Sequence, residues 1–218
     1  MSRALKAAAF ASGGGTNLQA LIDHQSADTP WKLSLLICNR EDAGALQRAT
    51  AAGVASMVIP TKDRDAGVVA TETLEVLEEH DIEVLFLCGY LRKIPTQVVE
   101  RFPRRILNVH PALLPAFGGP GMYGINVHRA VIESGAQISG PTVHYVDGQY
   151  DNGTIVAQWP VPVKPADTPE VLVARVLRAE HRLYPIALDH VCSALAEGRD
   201  PGPLARDGDA YSLSDELL

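Results

Sequence analysis

Five short apolar runs, at residues 7–11, 33–38, 54–59, 84–88 and 106–110, alternate with segments that read as helices. The runs are largely apolar rather than apolar at every second residue, which suits strands buried on both faces. The stretches between them supply the crossovers that parallel strands need: one through Ile22, one over 43–52, one over 68–79 and a short one near 95–101. The pattern predicts an α/β fold, a mostly parallel sheet flanked by helices. Past Gly140 the rhythm changes. Residues 141–145 and 155–163 read as strands with no helix between them, so antiparallel pairing is expected in the C-terminal part. Residues 169–195 read as a long closing helix with Pro185 as its kink point. The polar tail from Gly198, with Pro201 and Pro203, is expected to pack loosely. No repeat and no linker-like boundary is visible. The 218 residues therefore read as a single domain, with a core at about 7–196 and a tail at about 198–218.

Composition narrows the class. Hydrophobic content of 46% and charged content of 21% suit a globular chain with a real core. A net charge of −7 argues against a broad nucleic-acid or anionic-membrane surface, and no run is long enough to span a bilayer. The N-terminal stretch imitates a signal peptide, but it runs straight into a glycine cluster, which favours a first strand. Cys38, Cys88 and Cys192 form no C-x-x-C pair and read as buried thiols in a reducing cytoplasm. One local exception to the acidic balance is the group Arg92, Lys93, Arg101, Arg104 and Arg105, a candidate site for an anionic small molecule.

Chemistry concentrates in three places. Ser12-Gly13-Gly14-Gly15-Thr16-Asn17 joins the first strand to the first helix, where backbone amides and a helix start can hold a phosphate. It lacks the P-loop lysine and the G-x-G-x-x-G spacing, and the alternative is a tight turn with Thr16 or Asn17 as a helix cap. Asn108 and His110 lie two apart at the end of a late strand, so they share a face, and Pro111 keeps His110 extended. An amide to steady an oxyanion and an imidazole to move protons suit acyl transfer, with Asp151 available to orient and charge the imidazole. The competing readings are a structural histidine and, for Asp151-Asn152-Gly153, a plain turn. Arg92-Lys93-Ile94 is either a solvated strand exit or the wall of a heterocycle pocket. His144 is read as a core residue or a support for the site. His128 and His181 fall on helix-like segments, and His24, His80 and His190 look peripheral. The histidines lack zinc-site spacing, so no metal is expected.

Taken in order, these motifs closely resemble the phosphoribosylglycinamide formyltransferases, a family with a Rossmann-like fold. The resemblance is carried by residues 12–20, Cys88-Gly89-Tyr90-Leu91-Arg92, Asn108-Val109-His110-Pro111-Ala112-Leu113-Leu114-Pro115, Gly140-Pro141-Thr142-Val143-His144 and Asp151-Asn152-Gly153, and it runs from about residue 7 to about 196. It implies transfer of a formyl group from the cosubstrate 10-formyltetrahydrofolate to the amine of glycinamide ribonucleotide, without a metal. Gly15, Thr16, Asn17 and Glu180 would bind the ribonucleotide. Leu91, Arg92, Lys93 and Ile94 would line the folate site, joined by Asn108. Asn108, His110 and Asp151 would be catalytic. The family arginine that touches folate before the helix near Ala66 is assigned to Arg64, although ungapped register puts Ala66 at that point. Residues 117–124 form a longer loop than in shorter members and are read as a lid.

The mechanism expected from this resemblance is direct. The amine attacks the formyl carbon, Asn108 and charged His110 stabilise the oxyanion, Asp151 favours the imidazolium, and no covalent enzyme intermediate forms. The partners expected are small molecules only, with no nucleic acid or membrane, for a cytoplasmic monomer or homodimer. A tRNA formyltransferase would need a further domain, and a formyltetrahydrofolate hydrolase an N-terminal regulatory one. A non-catalytic nucleotide-binding module would need only the glycine loop.

Overall fold

The computed structural model describes residues 3–204. Its elements are β1 (Leu5–Ala11), α1 (Thr16–His24), β2 (Trp31–Cys38), α2 (Gly44–Ala51), β3 (Ala55–Val58), α3 (Ala66–Glu79), β4 (Val84–Leu87), α4 (Thr96–Arg101) and β5 (Ile106–His110). These are followed by α5 (Ile125–Glu133), β6 (Ile138–Ser139), β7 (Thr142–Tyr145), β8 (Ile155–Gln158), β9 (Val161–Pro162) and α6 (Pro169–Ala196). The main sheet has seven strands in the order β3-β2-β1-β4-β5-β7-β8, and β6 pairs with β9 in a separate ribbon. The first five are joined by parallel ladders, and β7 meets β8 antiparallel. This is the mostly parallel α/β architecture that the apolar runs predict.

The described residues fall into two compact units, one ending at Asn108 and resuming over Leu188–Pro201, the other holding Val109–Ala187 and residues 202–204. Two crossings fall inside β5 and inside α6 rather than in linkers, and the third falls between Pro201 and Gly202 in the tail.

In the first unit β1 is central, hydrogen-bonded to β2 on one side and β4 on the other. Ala7 to Ala11 are all buried, as two covered faces require. Phe10, Trp31, Leu35, Leu36, Phe86 and Leu85 fill this core, with Trp31 edge-on to Phe86 at 5.3 Å between ring centroids. The sheet's edge departs from the expectation. In β3, Ala55, Ser56 and Met57 are exposed, because an edge strand has one neighbour and little cover. Asp65 caps α3 by accepting from the backbone N–H of Gly67 and Val68, worth about 1 kcal/mol.

The second unit corrects one element. The apolar run at 155–163 is two strands in two sheets, not one. Pro160 has no N–H to donate, and the backbone at Gly140 comes so close that a Cβ there would lie 1.9 Å from the Trp159 carbonyl oxygen. The chain therefore leaves β7 after Gln158 and pairs with β6 from Val161. Val131, Val161, Leu172, Val176 and Ala179 form the local core, against which Phe117 and Trp159 pack.

Helix α6 runs through Pro185 as one element. Leu183, Tyr184, Ala187 and Leu188 around it are buried, and that packing outweighs one missing helical hydrogen bond. The start of the tail is also held. Arg104 pairs with Asp200 at 2.8 Å, Pro201 is buried, and the Leu204 N–H donates to the Val156 carbonyl at 2.8 Å. The rest of the tail, 205–218, lies outside the described residues.

Candidate active site

At the carboxyl end of β1 the glycine loop is built from backbone. Gly15 takes φ +72°, and a Cβ there would lie 2.7 Å from the Ala45 Cβ, so only glycine fits without strain. Its neighbours Gly13 and Gly14 have nothing within 4 Å of a would-be Cβ, which leaves their outer faces open. The Gly13 carbonyl accepts from the Ala45 N–H at 3.1 Å and the Gly14 carbonyl from Arg48 Nε at 2.8 Å, tying the loop to α2. Gly15 is the N-cap of α1, and neither Thr16 nor Asn17 caps it. The helix start has no side-chain cap and no acidic residue in its first turn, which leaves its positive end suited to an anion. The turn-with-a-cap alternative is thus not what forms.

The segment after β4 is stitched to this loop. The Leu91 N–H donates to Ser12 Oγ at 2.8 Å, and the Ser12 N–H donates to the Gly89 carbonyl at 3.2 Å. Leu91, Arg92 and Lys93 are exposed while Ile94 is buried. Adjacent parallel strands thus present two loops side by side at their carboxyl ends, where open α/β sheets take ligands. Arg64 lies before α3 with its guanidinium on Glu72 at 2.7 Å and on the Pro60 carbonyl at 3.0 Å. In the candidate basic group at residues 92–105, three members hold partners of their own. Arg104 pairs with Asp200, Arg105 donates to the Glu83 carbonyl, and Arg101 lies over the Phe102 ring, because each is drawn to its own nearest acceptor or ring.

The densest polar cluster surrounds His110. Strand β5 carries half-buried Asn108 and buried His110 on one face. The turn that follows, Pro111 to Pro115, is pinned by Thr142 on β7. Its hydroxyl donates to the Ala112 carbonyl at 2.7 Å and accepts from the Leu114 N–H and from Gln158 Nε2, both at 3.0 Å, which uses all three hydroxyl sites. His110 Nε2 donates to the Phe117 carbonyl at 2.9 Å, since a carbonyl can only accept. Nδ1 of the same ring lies 3.6 Å from Asp151 Oδ1. The other carboxylate oxygen accepts from the Gly119 N–H at 2.9 Å. Asp151 itself sits at φ +52° on a loop held by Gly153, whose would-be Cβ lies 1.8 Å from the Tyr145 carbonyl oxygen. The Asp-Asn-Gly turn is therefore both a turn and the mount for a half-buried carboxylate.

His144, read from the sequence as a core residue or a support, and His128, placed there only on a helix-like segment, belong to this cluster. His144, on β7, places Nε2 3.7 Å from the same Asp151 Oδ1 and donates from Nδ1 to the Tyr145 carbonyl at 2.8 Å. Burial lowers its pKa and the charge of His110 lowers it further, against the Tyr145 bond, Asp151 and Asp147. His128, on α5, is buried, and burial followed by the charge of His110 brings its pKa down to about 4. The strand spacing Thr142-x-His144 was a usable signal for the first; nothing local marked the second. Glu180 is buried on α6. Burial pushes the Cys38 thiol up to about 11 and raises Cys88 and Cys192 as well, so none is an activated nucleophile.

The comparisons with known proteins point the same way as this geometry. A formyl transferase family model matches residues 5–188. A chloroplastic phosphoribosylglycinamide formyltransferase of Arabidopsis thaliana is 43% identical, over 92% of this chain and 70% of its own. The phosphoribosylglycinamide formyltransferase of Haemophilus influenzae is 35% identical over 84% of this chain and 85% of its own. The crystal structure of glycinamide ribonucleotide transformylase 1 from Symbiobacterium toebii superimposes with a TM-score of 0.82 at 35% identity, covering 91% of each chain. With the family model matching most of the chain and relatives this similar, the chain belongs to the phosphoribosylglycinamide formyltransferases.

Proposed function

We propose that the protein transfers a formyl group from 10-formyltetrahydrofolate to the amine of 5′-phosphoribosylglycinamide, a step of de novo purine biosynthesis. The observation that carries this reading is His110 held between the Phe117 carbonyl and the Asp151 carboxylate. Because Nε2 keeps its hydrogen for Phe117, a neutral His110 would turn a bare Nδ1 toward an anion; protonation places an N–H there instead. The ring is thereby oriented, with Nε2–H on a carbonyl and Nδ1 facing a carboxylate.

Attack of the amine on the formyl carbon converts a carbonyl oxygen into an oxyanion. Asn108 donates to that oxygen. His110 supplies a second donor when the oxyanion takes Nε2–H from Phe117. An oxyanion is a stronger acceptor than a neutral carbonyl, so the exchange is favoured in the transition state more than in the ground state. Asp151 faces Nδ1 of the ring and orients it. The proton lost by the attacking amine then reaches the folate nitrogen as its bond to the formyl carbon breaks, and no enzyme nucleophile is needed. Gly15, Thr16 and Asn17 at the start of α1 hold the ribonucleotide phosphate, and Glu180 contacts the same substrate. Leu91 to Ile94 receive the folate with Asn108 and Arg64, the latter after leaving Glu72. Each substrate is a small molecule, and the chain works as a monomer or homodimer. Its buried thiols suit a reducing compartment, cytoplasmic or, as for the Arabidopsis relative, plastid. Among the described residues no helix is long and apolar enough to cross a membrane, and no cluster of His, Cys, Asp or Glu could hold a metal.

The test mixes purified protein with 10-formyltetrahydrofolate, with and without glycinamide ribonucleotide, and follows tetrahydrofolate by absorbance. Release only when both are present supports the transferase. Release without the ribonucleotide marks a hydrolase, and silence in both marks a binding module.

A further inference from the structure

Leu114 lies in sequence between His110 and the Phe117 carbonyl that accepts from it, and side chains from β7 and β8 take both of its backbone polar groups. Its N–H donates to Thr142 Oγ1 at 3.0 Å, and its carbonyl accepts from Gln158 Nε2 at 2.9 Å. We propose that Thr142 and Gln158 form a positioning pair for formyl transfer, holding the turn after β5 so that Phe117 meets His110 and Gly119 meets Asp151. The inference rests on the catalytic reading of His110 and Asp151 above.

The two strands bring the pair together by register. Thr142 and Gln158 stand directly opposite in the antiparallel ladder, so both side chains emerge on one face and reach the same turn. Each proton of the network then has one place to go. A carbonyl can only accept, so the amide nitrogen of Gln158 faces Leu114, and the Thr142 hydroxyl gives its hydrogen to the Ala112 carbonyl at 2.7 Å. The hydroxyl's two lone pairs receive the Leu114 N–H and the second Gln158 hydrogen, both at 3.0 Å. The Leu114 N–H also reaches the Ala112 carbonyl at 3.1 Å, which closes the turn on itself. Thr142 and Ala112 are fully buried, where a broken bond strands a polar group away from water. The turn is thereby held in one place.

Leu114 carries this hold to both halves of the site. Three residues on, the Phe117 carbonyl accepts from His110 Nε2 at 2.9 Å. The Leu114 side chain packs against Gly118, where a Cβ would come within 2.6 Å of Leu114 Cδ2 and 3.1 Å of Asp151 Cβ. Gly118 is thus packed between Leu114 and Asp151, and the next N–H, that of Gly119, donates to Asp151 Oδ2 at 2.9 Å. When Leu114 is released, the Phe117 carbonyl and the Gly119 N–H shift together, and His110 and Asp151 lose their alignment at once.

The experiment uses Thr142→Val, which keeps the side-chain shape without the hydroxyl, Thr142→Ser, which keeps the hydroxyl, and Gln158→Met, which keeps length without the donor. Thr142→Val and Gln158→Met are each expected to lower kcat about 10- to 100-fold with KM for both substrates near normal, while Thr142→Ser stays within about 3-fold of the unmodified enzyme. The double change should lower kcat little further than Thr142→Val alone, because both side chains hold one residue. In a His110→Ala background, where the ring to be aligned is gone, the same changes should lower the residual rate by less than about 3-fold. Folding is followed by thermal midpoint. Gln158 is half-buried on the last strand of its sheet, so Gln158→Met carries the test if Thr142→Val does not fold. In nitrogen-15 spectra the His110 Nε2 resonance should move in Gln158→Met and stay in place in Thr142→Ser. A folded Thr142→Val or Gln158→Met with normal kcat overturns the proposal. So does an unmoved resonance in Gln158→Met, a loss in Thr142→Ser equal to that in Thr142→Val, or a loss that persists in full without His110. Each of these leaves the catalytic reading of His110 intact, whereas a normal kcat in His110→Ala alone overturns both.

Discussion

The loop after β1 and the cluster after β5 are built from different material. The first has no side chain in its turn at Gly13 to Gly15; it depends on a left-handed glycine, two carbonyls tied to α2 and a bare helix start. The second is almost entirely side chain, with buried His110 and His144 facing half-buried Asp151 and steered by the carbonyls of Phe117 and Tyr145 and the amide of Gly119. Backbone amides at a helix start offer a permanent partial charge that no pH change removes, which suits a phosphate. Side chains offer protons that can be moved, which suits bond breaking. On the proposed reading, holding falls to the first region and chemistry to the second.

The sharpest way to break that division is at the chemical end. Losing one oxyanion donor costs about 10²–10³ in rate, so Asn108→Ala and His110→Ala should each lower kcat by that much with KM little changed. Steady-state kinetics showing near-normal kcat in either would remove the residue from the mechanism. Glycine substitutions sharpen the comparison with the same chemical change in both regions. Gly153→Ala drives a methyl into the Tyr145 carbonyl and shifts Asp151, for which a loss of kcat of about 10²-fold is expected. Gly15→Ala strains the helix start against Ala45 instead, so KM for the ribonucleotide should rise while kcat falls less. Equal effects of the two on kcat would erase the distinction.

The smallest effect concerns stability rather than rate. The His128 pKa falls from the ordinary 6.5 to about 4 in the folded protein, chiefly through burial. Between those values the unfolded chain binds the proton and the folded one does not, so stability falls as pH drops through that window. At about 1.4 kcal/mol per unit, the loss from this group is at most about 3 kcal/mol. His128→Leu should flatten the curve of denaturation midpoint against pH over that range, and an unchanged slope would assign the dependence to other groups.

Regular elements were legible because their signals are local. The apolar runs predicted β1 to β5 in order, and Asn108-x-His110 before Pro111 placed two polar side chains on one face of β5. The break at Trp159-Pro160 was not legible as a change of sheet, since the run reads as continuous until Gly140 approaches it from another strand. The basic residues at 92–105 looked like a cluster because neighbours in sequence share a sign; their partners, Asp200 for one, come from far along the chain.

What the sequence by itself determined is the strand–helix alternation, the glycine loop, the candidate trio Asn108, His110 and Asp151, and the family they resemble. Each depends on residue type and short spacing, which propensity and sterics read directly. Only the tertiary structure decided that His144 shares an oxygen of Asp151 with His110, that Phe117 and Gly119 steady the pair through their backbones, and that His128 is buried beside a charge. Those relations join residues distant in sequence, and an interaction between two groups is set by their distance and burial in space, which composition and spacing do not encode.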